Sequence, residues 1–326
     1  MKFNDTNVIK YVFFGTGPLA EAAMYSLYHG GLIPDAIITK PDAVMGRGHT
    51  LTAPIIKVWA QSKNIKVYQP STLKKETLES STEIENIELY KYIQENSIDI
   101  AIVASYGKII PEYILNWPTK GILNIHPSML PLYRGPSPIE SQLVEGLDDI
   151  GLSIMKLDVG MDSGPIYIQK NISLKERFGN NSEVGDSYNC ETIERLCGRE
   201  GANMILQILP FIIDNSLVAK DQDHSRATFC KFIEKSQGDI TGYIDELLSI
   251  EQIKKLSNND IELSNEILNK WRALSPWPGL YFFIDHDNKK LRVKINKIEN
   301  KKILEVTPEG KHPMSWGSFI NGYIIN

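Results

Sequence analysis

Cysteine is scarce in this chain: Cys190, Cys197 and Cys230 are the only three in 326 residues. Their spacing makes neither a disulfide framework nor a zinc pattern, and it points to reducing, cytoplasmic surroundings. Apolar runs are short as well. None approaches the ~18 residues that a bilayer-spanning helix needs, so no membrane is expected as a partner. The opening Met1-Lys2-Phe3-Asn4-Asp5 carries no apolar signal core. Positive charge is not in excess: 35 Lys and Arg face 40 Asp and Glu, for a formal net charge of −5. That balance excludes a globally basic nucleic-acid binder and leaves only a local basic patch. There is no internal repeat and no low-complexity tract. What remains is 42% hydrophobic and 23% charged, an ordinary globular composition with length enough for two domains.

The first two-thirds alternates strand and helix patterns. Residues 8–14 are apolar and end at Gly15-Thr16-Gly17, which predicts a buried strand and a tight turn. Pro18 suits a first helical turn and opens a helix over 19–28, stopped by Gly30-Gly31. Strands are expected over 35–39, 65–68, 98–104 and 122–125, with 98–104 the most apolar and therefore central. Residues 40–52 read as a Gly-rich loop and 54–62 as a helix. Residues 73–88 read as a polar surface excursion leading into a helix that ends near Asn96, and 111–115 as a short helix. The alternation argues an α/β fold, a doubly wound and mostly parallel sheet of Rossmann-like type. Further on, 166–172 reads as a strand and 191–213 as one long helix. Residues 214–237 read as a linker, 240–273 as helical, and 280–284 with 291–298 as a hairpin around Asp287-Asn288. A last strand follows over 303–306. The domain division expected is 1–213, a linker over 214–239, and 240–326.

The most informative string is Asn124-Ile125-His126-Pro127-Ser128-Met129-Leu130-Pro131-Leu132-Tyr133-Arg134-Gly135. An amide and an imidazole two residues apart on a strand point to the same side. Pro127 cannot donate to a ladder, so the strand should end there and present both groups at its mouth. Downstream, Asp158-Val159-Gly160-Met161-Asp162-Ser163-Gly164 offers a carboxylate from a Gly-punctuated loop. Asn, His and Asp together suit a reaction in which a carbonyl oxygen gains charge while an amine loses a proton. A second motif, Gly15-Thr16-Gly17, fits a dinucleotide fingerprint with Asp35 or Asp42 as ribose partner. Any first turn of such a sheet favours glycine, so that signal is weak.

The two longer strings resemble the formyltransferases that use 10-formyltetrahydrofolate. Their hallmark is Asn-x-His-x-Ser-Leu-Leu-Pro-x-Tyr-Arg-Gly with an Asp in a later Asp-x-Gly-x-Asp-x-Gly segment; Met129 replaces the first Leu, conserving volume. The resemblance implies an enzyme with Asn124, His126 and Asp162 as catalytic residues. It implies 10-formyltetrahydrofolate as co-substrate, with no metal. The folate would contact Ser128, Met129, Leu130 and Pro131. It would also contact the loop Tyr106, Gly107 and Ile109, where Gly107 permits close backbone approach to a flat ring.

Three further strings resemble methionyl-tRNA formyltransferases in particular. Lys40 to Leu51 is similar to their mobile tRNA-reading loop, with Arg47 at the position of the reader. His49 and Thr50 stand where many members have basic residues. Ser275-Pro276-Trp277-Pro278-Gly279 and Thr307-Pro308-Glu309-Gly310-Lys311-His312-Pro313-Met314 are similar to their second domain, and Phe319 to Tyr323 continue the likeness. That domain is expected as a small, shortened β-barrel-like (OB-like) unit. The basic residues of its hairpin, Arg292, Lys294 and Lys297 among them, would contact tRNA phosphates. The resemblance thus implies formylation of the free amine of methionyl-initiator-tRNA, for translation initiation, by a monomer. A sugar-nucleotide N-formyltransferase would use the same Asn, His and Asp on another amine. A glycinamide ribonucleotide transformylase would end soon after the first domain.

Overall fold

Tyr11–Gly15 (β1), Ala36–Ile38 (β2), Ile100–Ala104 (β6) and Ile122–His126 (β7) are buried along nearly their whole length, as strands covered on both faces must be. The computed structural model describes residues 9–45, 50–179, 188–247 and 262–324. Among these, the largest sheet has seven strands in the order β5-β2-β1-β6-β7-β8-β9, where β5 is Lys66–Tyr68, β8 is Asp149–Lys156 and β9 is Ile166–Ser173. The pairs β2–β5, β1–β2, β1–β6 and β6–β7 are parallel, and β7–β8 is antiparallel. The strand order reverses between β1 and β6. That switch point opens a crevice at the carboxyl ends of the strands, the usual place for a ligand in such a sheet.

Helices cover both faces of the sheet. Pro18–His29 (α1) and Cys190–Ile213 (α8) lie on one. Ile125 packs against α8 at Gly201, where a Cβ would come within 2.4 Å of Ile125 Cγ2. On the other face Val12, Phe14, Ala101, Val103 and Ile122 join Leu89, Ile93 and Ile114 from Ile84–Glu95 (α4) and Glu112–Leu115 (α5) in one core. Each fully buried side chain of this size contributes roughly 1.5–3 kcal/mol relative to exposure. Strand periodicity then puts Asn124 and His126 on the same face as Ile122, opposite Ile125.

Several segments differ from the sequence expectation. Residues 40–52 hold a short antiparallel ladder, Ala43–Met45 (β3) against Thr50–Thr52 (β4), rather than a plain loop. Ile55–Ser62 (α2) follows it. The excursion over 73–88 is helical in Lys75–Glu79 (α3) and buries Leu73 and Leu78. Asn86 anchors it: its side chain accepts from Ser71 N–H and donates to Ser71 Oγ, Ser81 Oγ and Glu83 Oε2. Polar composition concealed a segment tied down by hydrogen bonds. The strand β8 and the helix Pro138–Val144 (α6) were not anticipated at all.

The chain divides into two compact units. One comprises 1–138, 151–172 and 194–230; the other comprises 139–150, 173–193 and 231–326. In the second, Leu174–Phe178 (α7), Thr241–Leu247 (α9) and Asn265–Leu274 (α10) accompany a four-stranded antiparallel sheet. Its strands run in chain order: Tyr281–His286 (β10), Lys289–Glu299 (β11), Lys302–Pro308 (β12) and Met314–Ser315 (β13). Asp287 and Asn288, with φ of 51° and 57°, form the expected hairpin turn, and His286 pairs with Lys289. No pairing closes β10 onto β13 among the described residues, so the shortened sheet is an open meander. A final helix, Trp316–Tyr323 (α11), lays Trp316 and Phe319 edge-on against Phe282.

Candidate active site

Asn124 and His126 stand at the carboxyl end of β7, 9% and 4% exposed. The turn that follows is bolted from below. Ser128 Oγ donates to Leu132 O at 2.6 Å, and Ser128 N–H donates to His126 O at 2.8 Å. Ser153, fully buried on β8, uses its whole capacity here. Its hydroxyl donates to Ser128 O at 2.6 Å and accepts from Leu130 N–H at 3.2 Å and Gln169 Nε2 at 2.9 Å. Gln169 also donates to Leu130 O. Beneath the turn, Gly151 lets the backbone come close, since a Cβ there would sit 2.2 Å from Met129 N. Thus the expected folate-contact residues Ser128, Met129, Leu130 and Pro131 form one rigid turn, with the Leu130–Pro131 bond cis.

His126 Nε2 lies 3.0 Å from Tyr133 O. A carbonyl only accepts, so Nε2 carries the hydrogen of that bond. The other ring nitrogen, Nδ1, faces Asp162 Oδ1 at 3.7 Å. Asp162 has φ 47°, a conformation that a non-glycine residue holds only at a cost. Its second oxygen accepts from Gly135 N–H at 2.8 Å. The loop before it is shaped by Asp158, which accepts from Gly160 N–H and Ser163 Oγ. The structure therefore brings His126 and Asp162 together from segments 36 positions apart (162 − 126). The Asn124 side chain lies on the same face, with no hydrogen-bond partner among the described residues.

The second expected folate segment lies beyond β6. Ser105 and Gly107 both have positive φ, 47° and 69°, and Ser105 O accepts from Thr16 N–H across the switch point. The Tyr106 ring is not offered to a ligand. It is 2% exposed, packs edge-on against Phe14 at 5.5 Å, and burial pushes its phenol pKa well up. Ile109 is 91% exposed. Lys108 donates to Pro70 O and Ser71 O, and burial together with neighbouring Lys40 lowers its pKa.

The two acidic residues weighed for a dinucleotide ribose are engaged elsewhere. Asp35 accepts from Tyr11 N–H at the opposite, amino end of β1. Asp42 accepts from Lys57 Nζ and Gln69 Nε2. Arg47 lies outside the described residues. On the hairpin, Arg292 stacks over the Tyr281 ring at 3.8 Å, and Lys297 pairs with Glu299 at 3.1 Å. Lys294, exposed, is opposite Tyr281 and Thr307 in register. No cluster of three or more His, Cys, Asp or Glu placed to hold a metal occurs among the described residues, and no helix there is long and apolar enough to cross a membrane.

Sequence reasoning passed over one set of residues. Arg134 is 5% exposed, and its Nε and Nη2 donate to Gln222 Oε1 at 3.2 and 2.7 Å. Gln222 Nε2 in turn donates to the carbonyls of Asp162 and Gly164 at 2.9 and 2.7 Å. Gln222 lies in the stretch read as a linker, where no local pattern marks it.

Two comparisons give this arrangement a family. The family model described as "Formyl transferase" matches residues 9–185, and that of the "Formyl transferase, C-terminal domain" matches 262–303. The chain belongs to the formyl transferase family. Within that family it is similar to the methionyl-tRNA formyltransferase of Dictyoglomus thermophilum, 34% identical over 333 residues, covering 98% of each chain. It is 30% identical over 333 residues to the methionyl-tRNA formyltransferase of Pelagibacter ubique, covering 96% of this chain and 95% of the other. The fold is shared with a 4-N formyltransferase from Francisella tularensis, at TM-score 0.55 and 17% identity over 90% of this chain and all of the other.

Proposed function

We propose that this enzyme transfers the formyl group of 10-formyltetrahydrofolate to the free α-amine of methionyl-initiator-tRNA. The observation that carries the reading is the meeting of His126 and Asp162 at the mouth of β7, beside Asn124, in a chain whose full-length relatives bear that name. The amine nitrogen attacks the formyl carbon, and the carbonyl oxygen becomes an oxyanion. Asn124 Nδ2 is the donor at hand for that oxygen, and the His126 ring stabilises it by charge once protonated at Nδ1 or donates to it once Nε2 leaves Tyr133 O. Loss of one such stabilising group costs ~10²–10³ in rate. A proton added to His126 enters at Nδ1, between the ring and Asp162, so the carboxylate both orients the ring and draws the proton from the attacking amine, directly or through water. Collapse breaks the bond from carbon to N10 of the folate, and N10 takes up the proton the amine has lost, returned through Asp162 or water. Both substrates held at one strand mouth supply much of the remaining acceleration.

The pterin is read as lying along the 105–109 loop and the Ser128–Pro131 turn, against backbone rather than the Tyr106 ring. Arg47, with Arg292, Lys294 and Lys297, contacts the tRNA. The enzyme works as a monomer in the cytoplasm, a reducing compartment that suits three cysteines outside any disulfide. Incubation with 10-formyltetrahydrofolate and either methionyl-tRNA or a panel of amino-sugar nucleotides tests the reading. Formyl-methionine released from the tRNA is the expected product. Formylation of an amino sugar with untouched methionyl-tRNA would replace the acceptor and keep the chemistry.

A further inference from the structure

The pair His126 and Asp162 is held from one distant stretch of chain. Gln222, 6% exposed, uses both halves of its amide: Oε1 accepts twice from Arg134, and Nε2 donates to the carbonyls on either side of Ser163. Those carbonyls belong to Asp162 and Gly164, so the amide clamps the turn that carries the carboxylate. The clamp holds the left-handed backbone of Asp162, which persists only where its surroundings over-determine it. Six residues on, Thr228 Oγ1 accepts from Tyr133 N–H at 2.8 Å, and Thr228 O accepts from Arg134 N–H at 2.9 Å. Tyr133 O is the acceptor for His126 Nε2. One strap, 222–228, thereby fixes the backbone behind both members of the pair.

We propose that Gln222 is a positioning residue for formyl transfer, acting through Asp162 with Arg134 as its fixed anchor. The inference rests on the formyl-transfer reading, and wild-type turnover of methionyl-tRNA tests that reading separately. Gln222 reaches no reacting atom. Its amide sets the distance between Asp162 Oδ1 and His126 Nδ1, and a displacement of ~1 Å at such a site can cost ~10²-fold in rate.

The experiment is a double-mutant cycle. Gln222→Met keeps length and burial but removes every hydrogen bond; Gln222→Glu keeps the acceptor for Arg134 but cannot donate to the two carbonyls. Each is made alone and together with Asp162→Asn, and single-turnover rates and the KM for 10-formyltetrahydrofolate are measured. Expected is a ~10- to 10²-fold loss of kcat in either single variant with the folate KM within ~2-fold. In the Asp162→Asn background the further loss is under ~2-fold, because the carboxylate through which Gln222 acts is already gone. Equal fold-losses in both backgrounds would make Gln222 a merely structural residue and overturn the proposal, as would full activity in the single variants. Should Gln222→Met fail to fold, Gln222→Glu, in which Arg134 keeps a partner, carries the same cycle.

Discussion

His126 Nδ1 and Asp162 Oδ1 stand 3.7 Å apart, beyond hydrogen bonding and within ion-pair range. Each group is tethered by backbone, His126 by Tyr133 O and Asp162 by Gly135 N–H, and the two form an ion pair only when the ring takes up a proton at Nδ1. His126→Ala is therefore expected to lower kcat by ~10³ or more with folate affinity little changed, and Asn124→Ala by ~10²–10³. Single-turnover kinetics with methionyl-tRNA measures both. Near-normal turnover of His126→Ala would remove this ring from the mechanism.

Gly151→Ala tests the Ser128–Pro131 turn as the proposed folate contact. The new Cβ would meet Met129 N at 2.2 Å, and a backbone atom cannot step aside cheaply. Overpacking of this kind costs ~1–3 kcal/mol. A lower melting temperature together with weaker 10-formyltetrahydrofolate binding is the expected pair of changes. Weaker binding separates it from an ordinary core defect.

Asp42 offers a pH test. Hydrogen bonds from Gln69 and Lys57, with the Lys57 charge, hold its carboxyl below the usual carboxylate range. A carboxylate depressed in the folded state stabilises it above the unfolded pKa, and that contribution disappears as pH falls through the folded value. Asp42→Asn should melt a few degrees, about 1–3 °C, below wild type at pH 7, a small effect because the pair is partly exposed. The difference should shrink as pH falls below the ordinary Asp value of 3.8. A gap that stays constant down to acid pH would assign the loss to packing.

The proposed tRNA contact of the hairpin is open to a salt test. Neutralising Arg292, Lys294 and Lys297 together should flatten the salt dependence of tRNA binding. The slope should change by about 1 to 2 units rather than by the ~3 expected if each met one phosphate. Arg292 is committed to the Tyr281 face and Lys297 shares its charge with Glu299. Folate binding should be unaffected. An unaltered slope would mean the stripe meets no phosphate, and the amino-sugar acceptor would gain ground.

The sheet was legible because its strands announce themselves: Tyr11–Gly15 and Ile100–Ala104 are unbroken apolar runs next to Gly turns. The placement of Asn124 and His126 was legible for the same reason, through strand alternation and Pro127. What stayed hidden is nonlocal. Strand β8 reads Asp-Ile-Gly-Leu-Ser-Ile-Met-Lys, with Gly151 and Ser153 interrupting its pattern, and both turn out to serve the turn at Ser128–Leu130. Gln222 and Thr228 are ordinary polar residues in a polar stretch. What they touch is distant in sequence: Arg134 and Tyr133, 88 and 95 positions earlier, and, for Gln222, the carbonyls of Asp162 and Gly164. Tyr106 shows the converse: a motif position whose side chain the core absorbed.

The strap from Gln222 to Thr228 also sets an order of events as the chain is made. Synthesis runs from the amino end, so β1, β2, β5, β6 and β7 can pair into a parallel sheet well before residue 222 exists. Asn124 and His126 are then already in place on a finished strand. Asp162 follows, yet the bonds to its carbonyl and to Tyr133 N–H wait for a segment nearly a hundred residues behind the histidine. Contacts of such long sequence separation form late and slowly. A growing chain therefore carries Asn124, His126 and Asp162 before it carries the brace behind them.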